Sequence, residues 1–473
     1  MIRMADNLET TWASKLLFFL LCLTIIFTTL AYGAVHQPII AIFYLLVVVI
    51  AFLWAFDAFA SGALHFNKSL VALPLLAAFL YGIFQVIPFG SLADIGGVSG
   101  IPRTISLDPF STQVSAFHFL AFFIFLAALL TFIDSASRLR KIVWLITIFG
   151  FAFAFFAILQ AVLSPNKIYG IYEVEYATPF GSFVNRHNFA AYMEMTIAVP
   201  LGLMFAGAVP KDRRLLYVTA IALMGIALLL SGSRGGLISL LTQIFFLVIL
   251  TTETKSYGQL TLKIGLAILL VATIIVGSVL IGGESSLTRF AETAASGDFS
   301  ANRMYIWGVT LDIIKNNFLF GAGLGAFPVA YTPYDVLSGL ERVEQAHNDY
   351  LQVLADAGLI GFGIGAFFLF SLFRTGFKNA KSSNTFRRGV ALGSLAGCFA
   401  ILIHSVFDFV LHTTAVSVLF LTLVALVVVS GRRMWDVDEP APKRRKRSDS
   451  SRVISLSEKR KKVKSGNSER LSS

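Results

Sequence analysis

Polar residues are sparse along this chain and gathered into short clusters, and the positions between the clusters are apolar in unbroken runs of about 17 to 22 residues. A run of that length is what an α-helix needs to cross a hydrocarbon core ~30 Å thick. The strands of an outer-membrane barrel would alternate apolar with polar residues, and these runs do not. About twelve spans are expected, starting near Leu16, Ile39, Leu70, Val114, Ile142, Asn188, Leu215, Gly235, Leu262, Tyr350, Gly389 and Thr414. The pattern therefore predicts an all-α integral membrane protein, with a membrane domain over 1–431, one long loop over 282–348 and a tail over 432–473.

Charge gives the helices a direction. Only 14% of the 473 residues are Asp, Glu, Lys or Arg, against roughly 25% in soluble domains. With the N-terminus in the cytoplasm, four basic groups all fall on the cytoplasmic side: Arg138 to Lys141, Lys211 to Arg214, Arg374 to Arg388, and Arg432 with Arg433. This is the distribution that the positive-inside rule requires, and the reverse orientation violates it at every one of these loops. The tail supplies +8 of the net charge of +11, from 14 Lys and Arg against 6 Asp and Glu. Rich in Ser, Lys and Arg, it reads as disordered. Its KRRKR stretch, Lys443 to Arg447, suits anionic lipid headgroups better than nucleic acid, since it follows a membrane span. Cys22 and Cys398 both fall inside spans, which argues against a disulfide or a cysteine metal site.

In this orientation the remaining polar clusters sit at the outer ends of spans. Within the long loop, Met304, Trp307, Leu311, Ile314 and Phe318 recur at helical spacing, so an amphipathic helix is expected there, with Arg303 at its start. GAGLGAF, Gly321 to Phe327, has close glycine spacing without a preceding strand; it reads as a tight turn, and phosphate cradling is the alternative. Asp349 and Gln352 have the spacing of a capping box, which starts the tenth span at Asp349 and leaves His347 and Asn348 just outside it. A helix start favours a nearby anion, although His347 in isolation equally suits an interfacial anchor. SGSRGG, Ser231 to Gly236, predicts a hairpin with Ser233 as N-cap and Arg234 in the first turn; its glycines either admit a ligand to the backbone or only permit close packing. Arg186, His187 and Asn188 crowd the start of the sixth span. His404, Asp408 and His412 recur every four residues and are expected on one helix face, as a functional stripe or as a ladder that only pins helices together.

SGSRGG, then NRMYIW, then AHNDYLQVLADAGLIG together resemble the signature of the O-antigen ligase and O-antigen polymerase superfamily, over roughly residues 215 to 372. That resemblance implies a helical, GT-C-like bacterial inner-membrane glycosyltransferase whose long periplasmic loop closes over a cavity. The implied donor is a glycan on undecaprenyl diphosphate, and the implied acceptor a hydroxyl of lipid A-core, of a growing glycan or of a protein. By the same resemblance Arg234, Arg303 and His347 are the expected catalytic residues. Arg186, His187, Asn348, His404 and Asp408 are expected to bind substrate. The only Asp-X-Asp triplet, Asp436 to Asp438, falls on the cytoplasmic side, so metal-independent transfer is expected, and the mechanism expected for it is direct displacement with inversion, with no cofactor.

The rival class is a transporter, for example a lipid-linked glycan flippase. Transporter sites sit near the bilayer midplane between internal repeats, whereas here the polar clusters lie at one edge and the two halves show no clear repeat.

Overall fold

The structure, a computed structural model, describes residues 11–95, 98–175, 177–251, 303–335 and 342–432, with scattered helical positions between 261 and 279. The chain separates into two units, Met1–Arg432 and Arg433–Ser473, and every described residue belongs to the first. The basic tail, the Asp-X-Asp triplet and the first part of the long loop lie outside the described residues.

Among the described residues nine helices are long and apolar enough to span a membrane. They are α1 (Trp12–Leu30), α2 (Gln37–Ser61), α4 (Pro109–Phe132), α5 (Ala136–Leu163), α6 (Arg186–Phe205), α7 (Arg214–Leu230), α8 (Arg234–Thr251), α11 (Asp349–Asn379) and α12 (Thr385–His404). Two shorter apolar helices, α3 (Leu73–Gln85) and α13 (Thr414–Val429), account for two more expected spans. The remaining expected span, from Leu262, falls where only scattered helical positions are described. Two short hairpins, β1 (Ala93–Ile95) with β2 (Val98–Ile101) and β3 (Lys167–Ile168) with β4 (Tyr172–Glu173), are the described sheets. The protein is an all-α integral membrane protein.

The core is the least hydropathic helix, α6. In α6, 89% of the most apolar 18-residue window is buried, against 22% in the much more apolar α2. Hydropathy here follows contact with lipid, because a helix enclosed by other helices has no need of lipid-like side chains. Packing against α12 brings the two backbones together. A Cβ on Gly202 would stand 2.3 Å from Gly393 Cα and 2.7 Å from the Gly389 carbonyl oxygen, so only glycine fits. Gly389, Gly393 and Gly397 recur every four residues on α12, which is the small-residue stripe that lets membrane helices approach.

Helix α11 is broken at Gly358 (φ 61°, ψ −161°). Backbone groups freed in a membrane helix must find partners inside the protein, and here the glycine loop supplies them. Ala322 and Gly323 donate their amides to the Ala355 and Asp356 carbonyls at 2.8 and 2.9 Å, and Leu359 donates to Phe318 at 2.9 Å. From α3, the Tyr81 hydroxyl reaches the Ala357 carbonyl at 3.1 Å and Gln85 Nε2 reaches that of Asp356 at 3.1 Å. Gly321, Gly323 and Gly325 all take positive φ, and a Cβ at Gly321 would lie 2.4 Å from the Asp356 carbonyl. GAGLGAF is thus a turn that packs into the break, with amides already engaged by protein.

The loop helix exists, as α9 (Arg303–Asn316), followed by the short α10 (Phe327–Tyr331). Its buried face keeps Ile314 from the expected one and otherwise differs from it. Val309, Thr310, Ile313 and Ile314 are buried against Ala322, Phe327, Ala330 and Tyr331, whereas Met304, Leu311 and Phe318 are exposed. Two apolar stripes compete on this helix, and the one whose spacing matches the α10 and α11 surface is the one covered.

Candidate active site

Helix starts and one turn build the site. Helix α6 opens with Asn185 as N-cap, its side chain accepting from the His187 amide at 2.8 Å, which sets Arg186 and His187 in the first turn. Helix α8 opens behind Ser233, whose Oγ accepts from the Gly236 amide at 3.2 Å, the capping role expected for it. Arg234 is half-buried at that helix start. Gly235 and Gly236 serve close packing: Cβ atoms there would lie 2.8 Å from the His404 ring and 2.8 Å from Ala190.

At α11 the N-cap is Asn348, one residue before the expected Asp349. Its side-chain oxygen accepts from the Tyr350 and Leu351 amides at 3.0 and 3.1 Å, and its Nδ2 donates to the Val406 carbonyl at 3.0 Å. Asn348 therefore holds this helix start and ties it to the turn after α12. Asp349 is fixed by Ser405 Oγ at 2.7 Å and His412 Nδ1 at 3.1 Å. His347, just before the cap, has φ 51°, a left-handed conformation that a side chain with a Cβ seldom adopts.

The turn between α12 and α13 carries the centre of the site. Helix α12 ends at His404, and the chain turns through Asp408 to a short helical turn at Val410–His412. His404, Asp408 and His412 therefore do not share a helix face: they fan out to Glu194, to the cluster described next, and to Asp349. The expected stripe fails because Asp408 turns its carboxylate onto the Phe409 amide at 3.0 Å, the local competition with helix to which Asp is prone.

Asp408 is buried and gathers three cationic or protonatable groups from remote segments. Its Oδ1 lies 3.3 Å from His347 Nδ1, and its Oδ2 lies 3.4 Å from Arg303 Nη2 and 3.7 Å from His187 Nδ1. Arg303 also donates through Nη1 to the Phe407 carbonyl. Burial by itself would push the Asp408 carboxyl up, but the His347 hydrogen bond and the His187 and Arg303 charges together outweigh it and hold the group well below the usual carboxylate range. It is ionised at neutral pH.

An ionised carboxylate can only accept, so His347 carries its proton on Nδ1 toward Asp408 and leaves the Nε2 lone pair for another partner. Further polar contacts lie inward. His404 Nδ1 lies 3.0 Å from Glu194 Oε2, and its Nε2 lies 3.5 Å from Ser233 Oγ. His187 Nδ1 lies 3.0 Å from the same Ser233 oxygen. Close polar contacts thus lead from His187 through Ser233 and His404 to Glu194, which is fully buried in α6, while Asp408 lies 3.7 Å from His187 Nδ1, beyond hydrogen-bond range.

Of the residues singled out in the sequence, the structure brings His187, Arg303, His347 and Asp408 into one cluster and joins His404 to it through Ser233. Arg186 and Arg234 flank His187 and Ser233 in the chain. Glu194 was not singled out; its signal is a lone carboxylate in an otherwise apolar span, seven residues after His187 on the same helix.

In a scan of protein-family models, residues 219–365, which are 147 of the 473, match the one described as O-Antigen ligase. A search of curated proteins finds no match. The matched segment contains Ser233, Arg234, Arg303 and His347; His187, Glu194, His404 and Asp408 lie outside it.

Proposed function

We propose, from the premise that this chain belongs to the O-antigen ligase/polymerase superfamily, that it transfers a glycan from an undecaprenyl-diphosphate carrier to an acceptor hydroxyl at the Asp408 cluster. The observation that carries this reading is the convergence of His347, Arg303 and His187 on one buried carboxylate from three distant segments. In the proposed reaction His347 Nε2 takes the proton of the acceptor hydroxyl, and the oxygen attacks the anomeric carbon. The bond from that carbon to the diphosphate oxygen breaks with inversion, its electron pair leaving on the diphosphate. Asp408 steadies the imidazolium as it forms, the role of an orienting carboxylate behind a base.

Arginines meet the growing negative charge of the leaving group. A guanidinium has five N–H donors, and the contacts of Arg303 to Asp408 and Phe407 leave others for phosphate oxygens. Arg234 and, in a lesser role, Arg186, the chain neighbours of Ser233 and His187, complete the proposed binding surface, which works without a metal or a cofactor. Transfer that continues undiminished in EDTA is the expected result; activity restored by added metal would refute it.

The polarity of the bundle supports a bacterial inner-membrane location with the site on the periplasmic side and both termini in the cytoplasm. The starts of α6, α8 and α11 and the end of α12 meet at the cluster, whereas Lys211, Arg213 and Arg214, Lys378, and Arg387 with Arg388 lie at or just beyond the opposite ends of α6, α11 and α12. The acceptor would be lipid A-core, a growing glycan or a protein. Incubation of purified protein in detergent with lipid-linked glycan and acceptor tests the proposal: covalent product from wild type and none from His347→Ala is expected. A wild-type protein that only moves the lipid across a sealed bilayer would make it a flippase instead.

A further inference from the structure

A cavity of about 550 Å3 lies among α2, α3, α4, α11 and α13, and none of His187, Arg303, His347 or Asp408 lines it. Along α11 its lining changes character. Asp349, Gln352 and Asp356 come from the first two turns, nearest the cluster, and Ile364, Phe368 and Leu369 come from beyond the break at Gly358. The cavity therefore has a polar end and an apolar end. Pro74 and Ile364 also line a shallow apolar groove with Leu73, Ala77, Ile360 and Phe367, which carries the apolar end outward between α3 and α11.

One group at the polar end is unfinished. Asp356 is 5% exposed; its Oδ2 accepts from Gln352 Nε2 at 3.1 Å and from the Gly325 amide at 3.2 Å, while its Oδ1 has no hydrogen-bond partner. A buried carboxylate oxygen left without a donor is costly and uncommon in folded proteins. Other polar groups of the lining are already engaged: Asp349 by Ser405 and His412, and Tyr44 by His118 at 2.8 Å. No Lys or Arg lines the cavity among the described residues, and two carboxylates do. His118 and His412 line it too, each already engaged, by Tyr44 and by Asp349, so the lining offers a phosphate no Lys or Arg and suits a neutral donor of hydrogen bonds better.

We propose that this cavity binds an amphiphile with a neutral, hydroxylated head and a hydrocarbon tail, a head hydroxyl donating to Asp356 Oδ1 and the tail lying toward the gap between α3 and α11. It is a site separate from the arginine-flanked cluster, with the opposite charge preference. That the ligand is the acceptor rests on the glycosyl-transfer reading above; its binding does not.

The test uses the full-length protein in phosphatidylcholine nanodiscs and an octyl glucoside carrying a photoreactive diazirine in its tail. Saturable labelling of α4 and α11 peptides is expected, displaced at least tenfold better by octyl glucoside than by octyl phosphate. Asp356→Leu should weaken labelling about tenfold, the value of one hydrogen bond to a charged group. Gly365→Phe should abolish it, since Gly365 lines the cavity and a Cβ there meets nothing within 4 Å, so the ring fills the space without disturbing the fold. Labelling that does not saturate, octyl phosphate competing as well as the glucoside, or wild-type labelling in a folded Gly365→Phe protein would each overturn the proposal. Because the readout is binding, absence of glycosyl transfer leaves this result standing, and loss of binding leaves the transfer reading standing.

Discussion

The two ends of the helical bundle use arginine in different ways. At the basic end, Arg138 reaches the Phe132 carbonyl at 3.0 Å, Arg387 that of Ser430 at 3.1 Å, Arg388 that of Ala206 at 3.0 Å, and Arg432 those of Ile133 at 2.9 Å and of Leu130. All five oxygens belong to the last turns or caps of α4, α6 and α13, where carbonyls have no partner within their own helix. These arginines close helix C-termini and complement their dipoles. At the other end Arg303 meets a buried carboxylate beside two imidazoles, a mixture of charge that helix capping does not need. Arg138 also pairs with Asp134 at 2.8 Å, but that carboxylate is 39% exposed, whereas the one that Arg303 meets is buried.

That contrast can be broken by substitution. The largest effect is expected for His347→Ala: loss of the base should lower transfer by ~10² to 10⁴-fold, with little change in melting temperature because His347 is about one-third exposed. Asp408→Asn should come next, since a neutral amide neither fixes the His347 tautomer nor steadies the imidazolium; a loss of ~10²-fold or more in rate is expected. The same variant carries a pH signature. Because the Asp408 pKa is depressed, its stabilising contribution is complete above the ordinary carboxylate range near ~4 and is lost only as pH falls through the lower folded value. The melting difference between wild type and Asp408→Asn should therefore stay constant from about pH 5 to 8 and shrink in stronger acid; shrinkage already between pH 7 and 5 would mean that another group titrates there. The smallest effect belongs to the basic end. Arg388→Gln should cost about 1 kcal/mol of stability and leave the transfer rate of the folded protein unchanged, whereas a large rate loss would erase the distinction between the ends.

The spans were legible because length and apolarity alone fix them: the described helices start within about six residues of the expected positions, from Trp12 for Leu16 to Thr414 itself. Less was legible wherever a tertiary partner decides. The break at Gly358 depends on the loop from Phe318 to Gly325 supplying its hydrogen bonds, and nothing local to α11 announces that loop. The buried face of α9 is chosen by Phe327, Ala330 and Tyr331, which follow it in the chain. Four-residue spacing placed His404, Asp408 and His412 on one face only on the assumption of an unbroken helix, which Asp408 itself interrupts. His187, Arg303, His347 and Asp408, which the fold brings together, were nonetheless each picked out in the sequence, because ionisable groups at the lip of a membrane span are expensive to keep without a use. What the sequence could not give was the hub: Asp408 is one of several such groups, and only folding places it between His347, Arg303 and His187.

A double-mutant cycle on His347→Ala and Asp408→Asn, read as the rate of glycosyl transfer by purified protein, reports most directly on whether the carboxylate works through the imidazole. The double variant should be no slower than His347→Ala alone. Losses that multiply, or a His347→Ala enzyme that keeps most of its rate, would contradict the assignment of His347 as a base oriented by Asp408.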